Sequence, residues 1–399
     1  MNPVYIFYAK RTPIGNFSGI LSSKRVDDLL SDLLKDFAKN HIFDLTEIND
    51  VIIGNANQAG EDNRNLARMS LILAEYPLEV PGTTINRLCG SSLDAIIDGA
   101  CRIASGMNEC VIAGGAEVMS RAPYVLSKAE TSFDRSQKMY DTALGWRFPN
   151  PKMEKMFPLL SMGETAEEIQ MKYKISRESQ DYFAYESHKK AVQAIDQGIF
   201  KNEIVPIMIH QKKENILIYT DEGPRRDSSL EKLQTLKPVF KKEGTVTAGN
   251  SSSLNDGAAI VGICSEDFLR KNNLTPLCRI IGCSVAGLHP NIMGMGPVVA
   301  TQKLLQKYNL KISDFNSIEL NEAFAVQALA CMQELKLDPT LVNINGGSIA
   351  LGHPLGCTGA RLVTTLTNQM KINKNIKKSL ATMCIGVGQG ISLAIENCQ

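Results

Sequence analysis

Two cysteines and one histidine stand in surroundings that favour nucleophilic chemistry. Cys89 lies in Asn86-Arg87-Leu88-Cys89-Gly90-Ser91-Ser92, between a predicted strand end and a predicted helix start. A helix N-terminus carries partial positive charge, which favours thiolate over thiol, and a nucleophilic cysteine suits that position. His353 is held between glycine and proline in the run from Asn345 to Gly356, where the backbone is tightly specified. An imidazole near neutral pKa is the natural base for a thiol. Cys384 opens Cys384-Ile385-Gly386-Val387-Gly388-Gln389-Gly390. Glycines beside a cysteine let backbone N–H groups approach an oxyanion. A dinucleotide fingerprint would need a following helix, whereas Ile391–Ile395 reads as a strand. Together these residues suggest acyl transfer through a thioester, one cysteine carrying the acyl group and the second moving a proton.

The elements that must position them alternate. Val4–Phe7, Val51–Gly54, Thr83–Asn86 and Glu109–Gly115 read as strands. Between them Val26–Ala38, Asn65–Ala74 and Gly90–Ala104 read as helices, the first with Leu29, Leu30, Leu33, Leu34 and Phe37 on one face. This rhythm implies a layered α/β structure. From about Ser120 to Gly249 the texture becomes richer in Lys, Met, Pro and charge. One clear helix is expected there, Ser176–Ile195, in a segment read as an insertion. Strands return at Ala258–Ile263, Leu277–Val285, Ile318–Leu320 and Leu341–Ile344, followed by a helix near Gly359–Met370 and a last strand near Ile391–Ile395. The two halves are similar in texture, as an internal duplication would be.

Composition narrows the function. Hydrophobic residues make up 44% and charged residues 21%, which supports a folded core of two or three domains rather than a disordered chain. A net charge of +1, from 43 basic and 42 acidic residues, provides no global field for a nucleic acid. No apolar run is long enough to span a membrane, and neither end carries a recognisable targeting signal, so a cytoplasmic protein is expected. The ten cysteines show no Cys-x-x-Cys pair, which argues against zinc and for mostly reduced, packed thiols. His41, His188 and His210 lie in charged stretches expected to be solvated, and His289 precedes a proline in a loop.

These motifs resemble the thiolases over essentially the whole chain. Matching segments include Cys89-Gly90-Ser91, Gly114-Gly115-Ala116-Glu117-Val118-Met119-Ser120, Asn255-Asp256-Gly257, Asn321-Glu322-Ala323-Phe324, Gly352-His353-Pro354 and Cys384-Ile385-Gly386. The resemblance implies a five-layered α/β/α/β/α fold of two similar halves with an inserted loop domain. It places the N-terminal half at 1–120 and 247–270, the insertion at 121–246 and the C-terminal half at 271–399. By the same resemblance Cys89 is the acylated nucleophile and His353 the base for Cys89 and for the coenzyme A thiol. Cys384 is the acid that protonates a departing acetyl-CoA enolate, and Asn321 positions a water beside His353. The backbone N–H groups of Cys89 and Gly386 form an oxyanion hole. Ser252 and Arg225 align with coenzyme A contacts. No metal or permanently bound cofactor is implied; coenzyme A and acetyl-CoA are substrates, and the assembly is a homotetramer.

Short-chain biosynthetic thiolases carry a histidine just before Met162-Gly163, where this chain has Ser161. Gly145-Trp146-Arg147-Phe148 and the run around Cys384 instead resemble thiolases of 3-oxoadipyl-CoA. That substrate ends in a carboxylate, and burying one calls for a cation, best a planar guanidinium. Arg147 is the expected partner, with Arg64 and Arg87 as rivals. The alternatives are a general acetyl-CoA acetyltransferase acting on acetoacetyl-CoA and, from another class, a non-catalytic acyl-CoA or lipid binder on this fold.

Overall fold

The computed structural model describes residues 2–41, 43–210 and 214–399. Among the described residues ten strands form the central sheet: the two-residue Gly15–Asn16, paired with Asp256 and Asn255, and nine longer ones, β1 (Val4–Arg11), β2 (Asp50–Gly54), β3 (Gly82–Ile85), β4 (Cys110–Val118), β5 (Asn255–Ser265), β6 (Cys278–Gly287), β7 (Ser317–Leu320), β8 (Lys378–Ile385) and β9 (Gln389–Asn397). Eight longer helices accompany them: α1 (Val26–Asn40), α2 (Leu66–Leu73), α3 (Ser91–Ala104), α4 (Met162–Tyr173), α5 (Arg177–Asp196), α6 (Gly296–Tyr308), α7 (Ala325–Leu335) and α8 (Leu355–Ile372).

The strand order is β7-β8-β9-β6-β1-β5-β4-β2-β3, and it contains one pattern twice. In the first half β2 lies parallel to both β3 and β4, β4 is antiparallel to β5, and β5 is antiparallel to β1. In the second half Val342 bridges β7 in parallel, β7 is parallel to β8, β8 antiparallel to β9, and β9 antiparallel to β6. The two halves thus share one topology. They join edge to edge where Val4, Tyr5 and Ile6 pair with Ile280, Arg279 and Cys278.

Packing supplies the layers. Leu29, Leu30, Leu33, Leu34 and Phe37 of α1 are fully buried against the outer face of the first half-sheet, with Leu66 and Leu71 of α2 beside them. Leu93, Ile96 and Ile103 of α3 and Leu362, Val363 and Leu366 of α8 form a middle core between the half-sheets. Val298 and Leu304 of α6 and Val326 and Cys331 of α7 cover the outer face of the second half-sheet. Helix, sheet, helix pair, sheet and helix are therefore stacked in five layers, each apolar face covered by the next.

Some elements differ from expectation. The segment 121–246, which enters between β4 and β5, holds a second long helix, α4. Ser161 caps it: its hydroxyl accepts from the Glu164 N–H, and the Glu164 carboxylate accepts from the Ser161 N–H, a reciprocal capping box. The buried face of α4 is Gly163, Thr165, Ala166, Glu167 and Ile169, too polar to show a helical hydrophobic stripe. Helices α6 and α7 and strand β8 were likewise not expected. The strand expected at Leu341–Ile344 shrinks to one bridge at Val342, because Asn343 takes a left-handed φ of 46° and turns the chain out of line.

Two histidines are also not where composition put them. His188 is buried, and burial with Arg225 nearby pushes its pKa down to about 4. His41 is half-buried, stacked on Phe37 with ring centroids 4.0 Å apart.

Candidate active site

Cys89 sits on the turn between β3 and α3. Leu88, a bulky residue, adopts a φ of 48°, a strained conformation that aims the next residue out of the strand path. Polar groups hold the turn: the Leu88 N–H donates to Asn86 Oδ1 at 2.8 Å, and Ser91 Oγ donates to the Leu88 carbonyl at 2.6 Å while accepting from the Arg87 N–H at 2.9 Å. Gly90 packs closely next, since a Cβ there would stand 2.5 Å from Ile385 Cδ1.

Ile385 belongs to β8, so the packing of Gly90 brings the Cys384 end of β8 against the Cys89 turn. Gly386 follows, with space for a Cβ bounded by Leu88 Cδ1 at 3.5 Å. The hairpin then turns through Val387 and Gly388, both at positive φ, into β9. Cys384 is buried, and its thiol pKa lies well above the ordinary value, raised by burial first and by Cys89 second. Cys89 is likewise raised, by burial first, with the Gly386 N–H and its own N–H acting in the opposite direction. The direction of this shift, upward and led by desolvation, runs against the thiolate that a helix N-terminus favours. The same two N–H groups are the ones assigned to the oxyanion hole, and Cys89 and Gly386 line one cavity.

His353 occupies the loop before α8. Gly352 has a φ of 108°, and a Cβ on it would strike the Asn255 amide at 2.5 Å; Asn255 Oδ1 in turn accepts from the His353 N–H at 2.9 Å. Thr358 Oγ1 lies 2.7 Å from His353 Nδ1 and donates its only hydrogen to the Pro354 carbonyl at 2.9 Å. Its remaining role is acceptor, so the ring carries its proton on Nδ1 and presents a bare Nε2. Asn321 Nδ2 faces Nε2 at 3.5 Å, oriented because Asn321 Oδ1 accepts from Ser348 Oγ at 2.6 Å. Ser348 receives Arg361 Nη2 at 3.0 Å, and Arg361 pairs with Glu319 at 2.7 Å. Burial, aided by Arg361, pushes the His353 pKa down to about 3, far below the neutral value expected, so the ring is an uncharged base.

A cavity of 290 Å³ opens beside Cys89, lined also by Gly386, Leu355, Ser161, Trp146 and Arg147. Leu355, two residues after His353, carries the histidine loop to its wall. Glu117 lines it as well. Burial raises this carboxylate to about 7, and the N–H groups of Ala56, Asn57 and Gly356 hold it in place. A second cavity, of 500 Å³, is lined by Arg225, His188, Lys232, Ser251 and Ser253. Arg225 is exposed there. Ser252 is not among the lining residues: its hydroxyl turns to the Ala323 carbonyl at 3.1 Å. The sequence reading missed Thr358, Ser348, Arg361 and Glu319. A visible signal was the pairing of one acid inside the apolar strand Ile318-Glu319-Leu320 with one base inside the apolar helix after Gly359, since buried charges require partners.

Comparison with known proteins agrees with this geometry. Residues 4–267 match the family model of the thiolase N-terminal domain, and residues 274–397 that of the thiolase C-terminal domain. A beta-ketoadipyl-CoA thiolase of Pseudomonas aeruginosa is 51% identical over 396 residues, covering 98% of both chains. The acetyl-CoA acetyltransferase of Bacillus anthracis is similar in structure at a TM-score of 0.93 and 40% identity, over 100% of this chain and 99% of that one. Human mitochondrial 3-ketoacyl-CoA thiolase in complex with CoA matches at a TM-score of 0.92 and 39% identity, over 100% and 98%. With both family domains matched along nearly its full length, the chain belongs to the thiolase family of acyltransferases.

Proposed function

We propose that this enzyme cleaves 3-oxoadipyl-CoA with coenzyme A to give succinyl-CoA and acetyl-CoA, through an acyl group carried on Cys89. The observation that carries the chemistry is that Cys89 and Gly386 line one cavity, with the buried thiol of Cys384 two residues before Gly386 on the same strand end. Nε2 of His353 removes the Cys89 proton as the sulfur attacks the 3-oxo carbon. The resulting oxyanion is held by the two N–H groups. The bond between C2 and C3 then breaks, and its electrons become the enolate of acetyl-CoA. His353 and Asn321 stabilise the enolate oxygen, while Cys384 protonates C2. Coenzyme A, losing its thiol proton to the site, takes the acyl group from Cys89 and leaves the enzyme ready again. Each step reverses as a Claisen condensation.

The choice of 3-oxoadipyl-CoA follows the relative named for that substrate, at 51% identity against 40% for the acetyl-CoA acetyltransferase, together with Ser161 in place of histidine. Arg225 serves the coenzyme A site with the 500 Å³ cavity. Ser252, whose hydroxyl is spent on Ala323, would contribute through its loop. The division at 1–120 with 247–270, 121–246 and 271–399, the homotetramer and the cytoplasmic location belong to the same proposal. Thiolytic kcat/KM measured side by side for 3-oxoadipyl-CoA and acetoacetyl-CoA tests it. A clear preference for the adipyl substrate is expected. Equal rates or the reverse preference would make this a general acetyltransferase, and no turnover of either would overturn the proposal.

A further inference from the structure

The 290 Å³ cavity beside Cys89 is mostly apolar. Two charged side chains line it, Glu117 and Arg147. Glu117 is already satisfied: one oxygen accepts from the N–H groups of Ala56 and Gly356, the other from Asn57 N–H and Asn55 Nδ2. Arg147 is not. Nη2 donates to the Asn57 carbonyl at 2.5 Å, but Nη1 is buried and has no hydrogen-bond partner. No described carboxylate forms a salt bridge with this guanidinium. A buried, unpartnered N–H on a cation is costly, and such exceptions in a folded structure call for a missing ligand atom.

The surrounding loop is built to hold Arg147 still. Trp146 Nε1 donates to the Leu160 carbonyl at 3.0 Å, pinning the preceding residue. Phe148 packs edge-on against Tyr140, with centroids 4.9 Å apart, pinning the following one. The rival cations are accounted for. Arg87 lies 2.9 Å from Asp94 and donates through Nη1 to Gln389 at 3.2 Å; its Nε is buried without a hydrogen bond, but Arg87 is not among the lining residues of the cavity. Arg64 is exposed and is not among the lining residues.

From this geometry we infer that Arg147 binds the terminal carboxylate of the acyl group while that group is carried on Cys89, and so selects dicarboxylic over neutral 3-oxoacyl chains. The inference rests on the proposed thiolysis of 3-oxoadipyl-CoA. A succinyl chain on Cys89 extends only ~4 Å from its first to its fourth carbon, so one small cavity must hold both ends. The free Nη1 supplies the donor that an ω-carboxylate needs in an apolar wall, and a neutral chain would leave it unpaired. Arg147 is a specificity residue here and takes no part in bond breaking.

The test compares kcat/KM for 3-oxoadipyl-CoA with that for the neutral 3-oxohexanoyl-CoA, in the wild type, Arg147→Met and Arg147→Lys. The readout is the ratio of the two substrates within each protein, which a general structural role of Arg147 would not move. A charged hydrogen bond of this kind corresponds to roughly a 10- to 150-fold effect. The ratio should fall by that much in Arg147→Met and by less in Arg147→Lys, which keeps the charge but loses the fork. A wild type that prefers the dicarboxylic substrate, with an unchanged ratio in Arg147→Met, would overturn the inference while leaving the proposed function standing. A wild type without preference would overturn both.

Discussion

Replacing Thr358 by valine should separate the tautomer of His353 from everything else in the site. Valine keeps the shape of threonine and removes one oxygen. That oxygen, 1% exposed with its residue, accepts from His353 Nδ1 at 2.7 Å and gives its hydrogen to the Pro354 carbonyl at 2.9 Å. Without it the buried Nδ1–H has no acceptor, a loss of about 1–3 kcal/mol. Two consequences follow from the same figure. Stability should fall by about that amount. For 399 residues the unfolding entropy is roughly 0.8 kcal/mol/K, so the melting temperature should drop by about 1–4 °C. The bias that keeps Nε2 free of its proton also weakens, held only by Asn321 Nδ2 at the long distance of 3.5 Å. A tautomer bias reduced by about 1–3 kcal/mol corresponds to a fall in kcat/KM of roughly 5- to 150-fold. Thr358→Ser, which retains the oxygen, provides the control and should stay within a few-fold of wild type. The assay is thiolysis of acetoacetyl-CoA alongside thermal melting. Wild-type kcat/KM in a Thr358→Val protein that shows the expected melting shift would refute the assignment of Nε2 as the base.

Two further outcomes follow from the buried groups. Burial raises the Cys89 pKa, so its thiolate appears later in a titration than that of an ordinary cysteine. Alkylation of the Cys89 peptide by iodoacetamide, followed by mass spectrometry, should keep rising about tenfold per pH unit through neutrality; a plateau below pH 7 would mean a preformed thiolate. Arg361 and Glu319 form an ion pair with side chains 1% and 0% exposed, so Arg361→Met strands a buried carboxylate. It should cost about 3–5 kcal/mol in urea unfolding, with part of the loss recovered when Glu319→Gln is added. A single-variant loss under about 1 kcal/mol would show that the pair does not carry the Asn321 network.

Much of this protein is readable in one dimension. The stripe Leu29, Leu30, Leu33, Leu34, Phe37 specifies an amphipathic helix because side chains three and four apart share a face, and all five are fully buried. Asn65 and Ser176 were readable as helix starts, and both cap their helices. Cys89, His353 and Cys384 stood out because glycine and proline restrict the backbone around them, and restricted backbone is a local property. Helices such as α4 and strands such as β8 were not readable. The first buries a weakly apolar face, and the second is buried on both faces and so loses its alternation.

Charge states and partners were beyond the sequence. Nothing local to Cys89 or His353 says that each is desolvated; that depends on distant parts of the chain, β8 and the loop before α4 around Cys89, and Asn255 and Asn321 around His353. Residue types therefore determined which chemistry was available, a thiol nucleophile, a base and an acid. Tertiary structure decided that burial shifts both Cys89 and His353 toward their uncharged forms, that Thr358 holds the His353 proton on Nδ1, and that Arg147 rather than Arg64 or Arg87 lines the cavity beside Cys89. The physical reason is that desolvation and hydrogen-bond saturation depend on every neighbour in space, whereas sequence spacing reports only neighbours along the chain.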